Sequence, residues 1–292
     1  MADTYVTARS TSGRRDLSRP EIPEPLAVPV YDNHCHLEIA DGEEGLSLEQ
    51  QLEAAQAAGI AGVVQASGDI ASSLWAADAA ERDPRVLAAV AIHPNDAPVY
   101  DGEGRLEEAI GVIDELAARP RVRAIGETGL DFFRTGEEGR PAQFSSFEAH
   151  IALAKKHGVA MQIHDRDAHR EVLDTLARVG APERTVFHCF SGDAEVAREA
   201  LDAGCWLSFA GNVTFKNAQN LRDALAVTPP ERILVETDAP FLTPVPYRGR
   251  PNAPYLVPLT MRFIAEHLGA DLDALCARVA QNTRDVYGSF DA

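Results

Sequence analysis

The stretch Val28-Pro29-Val30-Tyr31-Asp32-Asn33-His34-Cys35-His36 is an apolar run that ends in two histidines two residues apart. On an extended strand side chains alternate faces, so His34 and His36 point to one side and Cys35 to the other. Two imidazoles side by side at a strand end make a metal clip, because imidazole is a common neutral ligand. Paired histidines also occur on exposed loops and as partners of buried polar groups. The reading therefore depends on what stands at the ends of the other strands.

Seven more short apolar runs follow: 62–66, 86–92, 122–126, 159–163, 184–187, 205–209 and 233–235. Between the runs, segments 48–58, 74–82, 106–118, 143–157, 169–179, 194–203 and 217–227 repeat their apolar residues at helical spacing. Strand then helix, with no strand patterned for one wet face, predicts an α/β fold with a parallel sheet covered by helices. Eight such repeats close into a (β/α)8 TIM barrel. An open doubly wound sheet would carry a Gly-rich turn after its first strand, where this chain has His34 and His36.

Barrel enzymes place their chemistry at the carboxyl ends of the strands. Here those ends read Ile92-His93-Pro94, Gly126-Glu127-Thr128-Gly129-Leu130-Asp131, Ile163-His164-Asp165-Arg166, Phe187-His188-Cys189 and Val235-Glu236-Thr237-Asp238. Alternation groups Glu127 with Ile125, His164 with Gln162 and Asp238 with Glu236, and turns Ile163, Cys189 and Thr237 toward the helices. His34, His36, Glu127, His164, His188 and Asp238 then supply four imidazoles and two carboxylates. That set suffices for two divalent ions sharing one bridging carboxylate. Each residue taken singly has a structural alternative: an acid can cap the following segment, and a histidine can be a core residue paired to backbone. His93 is expected to contact substrate or support a ligand. His150, His157 and His267 fall on helical patterns and are read as surface residues, and His169 as the start of a helix.

The chain has 292 residues, a length that single barrels reach, and no linker interrupts it. Residues 1–26 are expected to form a flexible polar tail, and 27–292 a single hydrolase domain. With 45 acidic against 27 basic residues the formal net charge is −18, so any polyanion must be gripped locally, with bound dications supplying positive charge. Cys35, Cys189, Cys205 and Cys276 have no Cys-x-x-Cys spacing and read as reduced thiols. Neither a secretory signal nor a membrane-spanning run is present, so the cytoplasm is the expected compartment and a monomer the expected state.

The blocks Asp32-Asn33-His34-Cys35-His36, Ile92-His93-Pro94, 125–131, His164-Asp165-Arg166-Asp167-Ala168, His188-Cys189-Phe190-Ser191-Gly192, 236–242 and 246–254 together resemble the TatD family of metal-dependent deoxyribonucleases. The resemblance spans about Tyr31 to Tyr287. It implies an amidohydrolase-type TIM barrel with His34, His36, Glu127, His164, His188 and Asp238 as ligands of two divalent ions, zinc, manganese, magnesium or iron. Two departures are mild: Asn33 stands where Ser or Thr is common, and Phe132-Phe133 where tyrosines are common.

For such a protein the expected reaction is phosphodiester hydrolysis by metal-activated water, in a 3′–5′ exonuclease acting on single-stranded or end-frayed DNA. Asp238 is the candidate proton acceptor, a role inferred from the family, and Glu127 the shared carboxylate. Arg166 is the candidate phosphate fork, with Lys216, Arg248 and Arg250 as further cations; the alternative for each is a surface charge paired with an acid. Phe132 and Phe133 either stack on a base or pack the loop against the rim. A hydrolase of an ester or amide bond, such as an aminoacyl-tRNA deacylase, and a non-catalytic metal-containing binding protein are the competing functions.

Overall fold

The structure is a computed structural model that describes residues 6–9 and 15–291. Eight parallel strands run in chain order around a barrel: β1 Val30–Cys35, β2 Ile60–Gln65, β3 Val86–Val90, β4 Val122–Asp131, β5 Ala160–Arg166, β6 Thr185–Phe187, β7 Trp206–Phe209 and β8 Ile233–Val235. Each expected apolar run overlaps one of them. The ring is completed between β8 and β1 by side chains and the residues just past the strands rather than by a full ladder. Asp238 N donates to His34 O at 2.9 Å, His36 N to Ala239 O at 2.7 Å, and Asn33 Nδ2 to Val235 O at 2.9 Å. Buried Asp32 accepts from Thr237 N and Oγ1, latching the same seam.

Among the described residues ten α-helices cover the barrel: α1 Leu48–Ala57, α2 Ile70–Arg82, α3 Ala97–Gly102, α4 Leu106–Ala117, α5 Arg140–His157, α6 His169–Val179, α7 Ala194–Asp202, α8 Gln219–Val227, α9 Val257–Leu268 and α10 Leu272–Tyr287. α2 begins four residues before the apolar periodicity does. Asp69 and Ser72 form a reciprocal capping box there and recruit a polar first turn. α5 stops at Gly158, whose φ of 63° favours glycine.

Along the strands neighbouring residues enter different cores. Val63, Ala88, Val90, Ile125 and Met161 pack under the helices, while Val64, Leu87, Ala89, Ala124, Ala160, Val186 and Leu234 fill the barrel interior. The interior cluster also includes the buried side chains of Tyr287 and Phe290. A Cβ at Gly62 would lie 2.7 Å from the Phe290 ring, so β2 needs glycine where that ring approaches.

The amino-terminal segment makes specific contacts. Thr7–Ala8 pairs in parallel with Ile39–Ala40, just past β1. Further along, Tyr255 Oη donates to Pro20 O at 3.0 Å, Arg250 donates to Ser18 and Arg19, and Leu26 is buried. No helix among the described residues is long and apolar enough to cross a membrane.

Candidate metal centre

The carboxyl ends of the strands open into a cavity of about 520 Å³ lined by His36, His93, Glu127, His164, His188 and Asp238 among others. His34 lies fully buried behind it. All six expected ligands therefore meet. Groups within metal-ligating distance of one another are His34, His36 and Glu127; His34, His188 and Asp238; and His93, Glu127 and His164.

Strict strand alternation does not produce this convergence. The register of β4 shifts between Ile125 and Thr128, so Glu127 sits at an irregularity. Gly126 is required there because a Cβ would lie 2.5 Å from that of Gln162. β6 and β8 end at Phe187 and Val235, before His188 and Asp238. Cys189 and Asp238 then take φ of 42° and 53°, so alternation no longer sets direction. The expectation that Cys189 faces the helices is corrected accordingly: it lines the cavity. Burial, with Asp238, Glu236 and Glu127 nearby, holds its thiol well above the ordinary range, which disfavours a nucleophilic thiolate.

Glu127 is the centre of the arrangement. Its Oε1 lies 3.3 Å from His36 Nε2 and 3.9 Å from His34 Nε2, while Oε2 lies 2.8 Å from His188 Nε2 and 3.1 Å from His164 Nδ1. One carboxylate thus turns each oxygen toward a different imidazole pair. Asp238 Oδ1 faces the first pair, 3.7 Å from His36 Nε2 and 3.9 Å from His34 Nε2.

Each of the four imidazoles has an acceptor at its outer nitrogen. His34 Nδ1 donates to Gln162 Oε1 at 2.9 Å, His188 Nδ1 to Glu236 Oε1 at 3.2 Å, and His164 Nε2 to Asp131 Oδ2 at 3.2 Å. His36 Nδ1 faces Glu38 Oε1 at 3.8 Å, and Gln65 holds Glu38 through its other oxygen. Outer partners of this kind turn the inner nitrogens of metal-binding imidazoles toward the ion. None of Gln162, Asp131, Glu38 or Glu236 was singled out as a site residue from sequence. Their signal, a polar residue at a strand position that should be apolar, is visible only in hindsight for Gln162 and Glu236, both fully buried.

The electrostatics follow from burying these groups together. Burial holds His34 well below its usual pKa and takes His93 down to about 3. Burial also opposes charge on His188, but Glu127 and Glu236 outweigh it and raise that ring to about 10. The same contest runs the other way at Glu127, where His188 and His93 overcome burial and hold the carboxyl well below its ordinary range. At Asp238 burial prevails over the pull of His188 and His36, raising it to about 7. Glu236 Oε2 is buried and makes no hydrogen bond. A charge-rich cage of this donor set is suited to divalent cations.

His93 differs from the other imidazoles. Its Nδ1 accepts from Asn95 N at 3.0 Å, so the neutral ring carries its proton on Nε2, which faces Glu127 Oε2 at 3.9 Å. That tautomer donates a hydrogen bond and offers no lone pair to an ion. His150 is a correction: it is fully buried, donating from Nδ1 to Ser146 O at 2.7 Å and accepting at Nε2 from Ile92 N at 3.1 Å. The helical pattern marked its element but not which face it takes. His267 is exposed, His157 pairs with Asp114, and His169 begins α6.

Of the expected substrate contacts, His93 and Arg166 line the cavity, whereas Phe132, Lys216 and Arg248 do not. Phe132 packs on Phe144 with Arg140 above it, so the rim-packing alternative describes its position. Arg248 lies over Phe215, Lys216 is exposed, and Arg250 is engaged by Ser18 and Arg19. The structure instead brings Arg134 and Arg9 to the cavity.

A parallel eight-stranded barrel with an imidazole and carboxylate cage at its carboxyl rim is the architecture of TIM-barrel metal-dependent hydrolases. A family model for TatD related DNases matches residues 31–288, and the chain belongs to the TatD family. The uncharacterized metal-dependent hydrolase TatD of Mycobacterium tuberculosis is 42% identical, over 89% of this chain and 98% of its own. For the uncharacterized metal-dependent hydrolase YabD of Bacillus subtilis the figures are 35%, 88% and 98%. The crystal structure of the TatD homologue YJJV from Escherichia coli matches with a TM-score of 0.79 at 24% identity, covering 89% of this chain and 98% of that one. The protein is thus a metal-dependent hydrolase of this family.

Proposed function

We propose that the protein hydrolyses phosphodiester bonds of DNA as a 3′–5′ exonuclease, with two divalent ions sharing Glu127. The observation that carries the two-ion reading is the division of the Glu127 oxygens between the His34–His36 and His164–His188 pairs. Asp238 completes the first set. Ions held there supply Lewis acidity toward a phosphoryl oxygen and lower the pKa of water.

The remaining work falls to this chain's own groups. Asp238 presents its carboxylate to the cavity, where it takes a proton from the attacking water. His93 donates from Nε2 to a substrate oxygen. Arg166 lies 3.9 Å over the Phe133 ring, which fixes the guanidinium plane and leaves its edge to grip a phosphate. Phe133 is 62% exposed at the rim and offers a face for stacking a base of a single strand or frayed end. A cavity of about 520 Å³ on a chain of net charge −18 suits an end of a strand better than a long duplex.

End-labelled single-stranded DNA tests the proposal, with and without added magnesium, manganese or zinc, using the wild-type chain, Asp238→Asn and Glu127→Gln. The expected result is metal-dependent release of mononucleotides from the 3′ end, lost in both variants. No release from folded, metal-loaded protein would overturn the DNA substrate, and ester and amide substrates would then be screened.

A further inference from the structure

The family match begins at residue 31, yet a residue well before it lines the cavity. Arg9 N donates to Ala40 O at 2.9 Å and Thr7 N to Glu38 O at 2.9 Å, which seats the segment beside the end of β1. From there the Arg9 side chain, 21% exposed, reaches Pro240 O at 2.5 Å and Asp41 Oδ2 at 3.1 Å, both through Nη1. Its guanidinium carbon sits 4.9 Å from the Phe241 ring centroid, and Phe241 in turn meets His36 edge-on. Three kinds of contact thus hold the group in one place at the edge of the metal cage.

Its charge is not cancelled by its anchor. Asp41 also receives Arg15, with bonds of 3.1 and 2.9 Å to its two oxygens, so two guanidiniums share one carboxylate. In strand order Arg9 stands at the β8–β1 seam, four strands around the ring from Arg134 and Arg166 at β4 and β5. The cavity therefore has cations on opposite sides of its metal ligands. One strand of a phosphodiester drawn across the cage would meet both.

We propose that the short strand Thr7–Ala8 and the adjoining Arg9 are part of the substrate site and that Arg9 is its phosphate-positioning group, binding a substrate phosphate on the His36–Asp238 side of the cavity. This rests on the phosphoester reading above. Arg9 is not assigned a part in bond breaking; it holds the anion in register with the cage.

The test uses the zinc-loaded full chain and thymidine 5′-monophosphate as the probe. The Arg9→Gln change is expected to weaken binding about tenfold, the loss of one charge-assisted contact. With oligonucleotide substrates it should raise KM with little change in kcat, and lower the slope of log affinity against log salt by about 0.7. Hydrogen exchange at the Thr7 and Arg9 amides reports whether the segment stays seated. Should Arg9→Gln release it, the wild-type Arg9 Nε–H resonance decides: a shift on saturation with the nucleotide supports the proposal, and no shift overturns it. Unchanged nucleotide affinity in a seated Arg9→Gln protein overturns it as well. Failure of the nuclease reading shows separately, as no turnover by the wild type, and leaves the binding arm readable.

Discussion

Replacing Gln162 with leucine tests how the fold sets the tautomer of His34. The buried amide has ends that are not interchangeable. Nε2 donates to Asn33 O at 2.7 Å and Tyr287 Oη at 2.9 Å, which leaves Oε1 to face His34 Nδ1 at 2.9 Å. An acceptor there keeps the imidazole proton on Nδ1, and the lone pair on Nε2 points toward Glu127 and Asp238. Burial keeps that ring neutral, with the neighbouring His188 adding to the effect. Leucine fills a similar space with no polar atom, so three hydrogen-bonding groups lose a partner at about 1 kcal/mol each. Urea unfolding of the metal-free protein should show a loss of roughly 3 kcal/mol. Zinc affinity, measured by titration calorimetry, should fall about 10- to 100-fold, the usual effect of removing a ligand's outer partner. A variant that is destabilised yet binds zinc as tightly as the wild type would refute tautomer control by Gln162. One of unchanged stability would refute the hydrogen bonds themselves.

Three further outcomes follow from the same geometry. Burial, against the pull of the Ser146 carbonyl, takes His150 from 6.5 to about 4; a depressed pKa means that its stabilising contribution is complete above pH 6.5 and is lost as pH falls through 4. The total is roughly 3 kcal/mol, so urea midpoints measured across that window should fall less steeply in His150→Gln, and equal slopes would count against the assignment. Gly126→Ala places a Cβ 2.5 Å from that of Gln162 and 3.0 Å from its carbonyl oxygen, which should destabilise the fold by about 1–3 kcal/mol; a wild-type melting curve would contradict it. Stripping metal with a chelator should lower the melting temperature and abolish hydrolysis, with both restored by zinc or manganese; an unchanged melting temperature would argue against ions held by the cage.

How much was legible beforehand differs by element. The eight strands and the helices 106–117, 169–179 and 194–202 lie where apolar periodicity placed them, because that signal is local. β4 runs on to Asp131, five residues past its expected end, since Gly126-Glu127 interrupt the apolar run and shift the register, after which pairing with β5 resumes at Thr128. The short α3 and α10 were not anticipated, and of α9 only the helical pattern around His267 was. Residues 97–102 are too few to carry a period, and the pair α9–α10 stands outside the alternation of strand and helix on which the reading rested.

The sequence by itself determined the architecture and the candidate ligand set, because hydrophobic period and metal-ligating side chains are properties of short stretches. His34, His36, Glu127, His164, His188 and Asp238 could be picked out at strand ends without knowing how those ends face one another. Only the tertiary structure decided which nitrogen of each ring points inward, since Gln162 is 128 positions from His34 and Glu236 is 48 from His188. It also decided which cations reach the cavity. Arg248 and Arg250, close in sequence to the last ligand, are engaged by Phe215 and by the amino-terminal segment. Arg9, 231 positions from Pro240, is brought to that carbonyl by a strand pairing of two residues. Closure of the barrel determines such proximities, and no spacing along the chain encodes them.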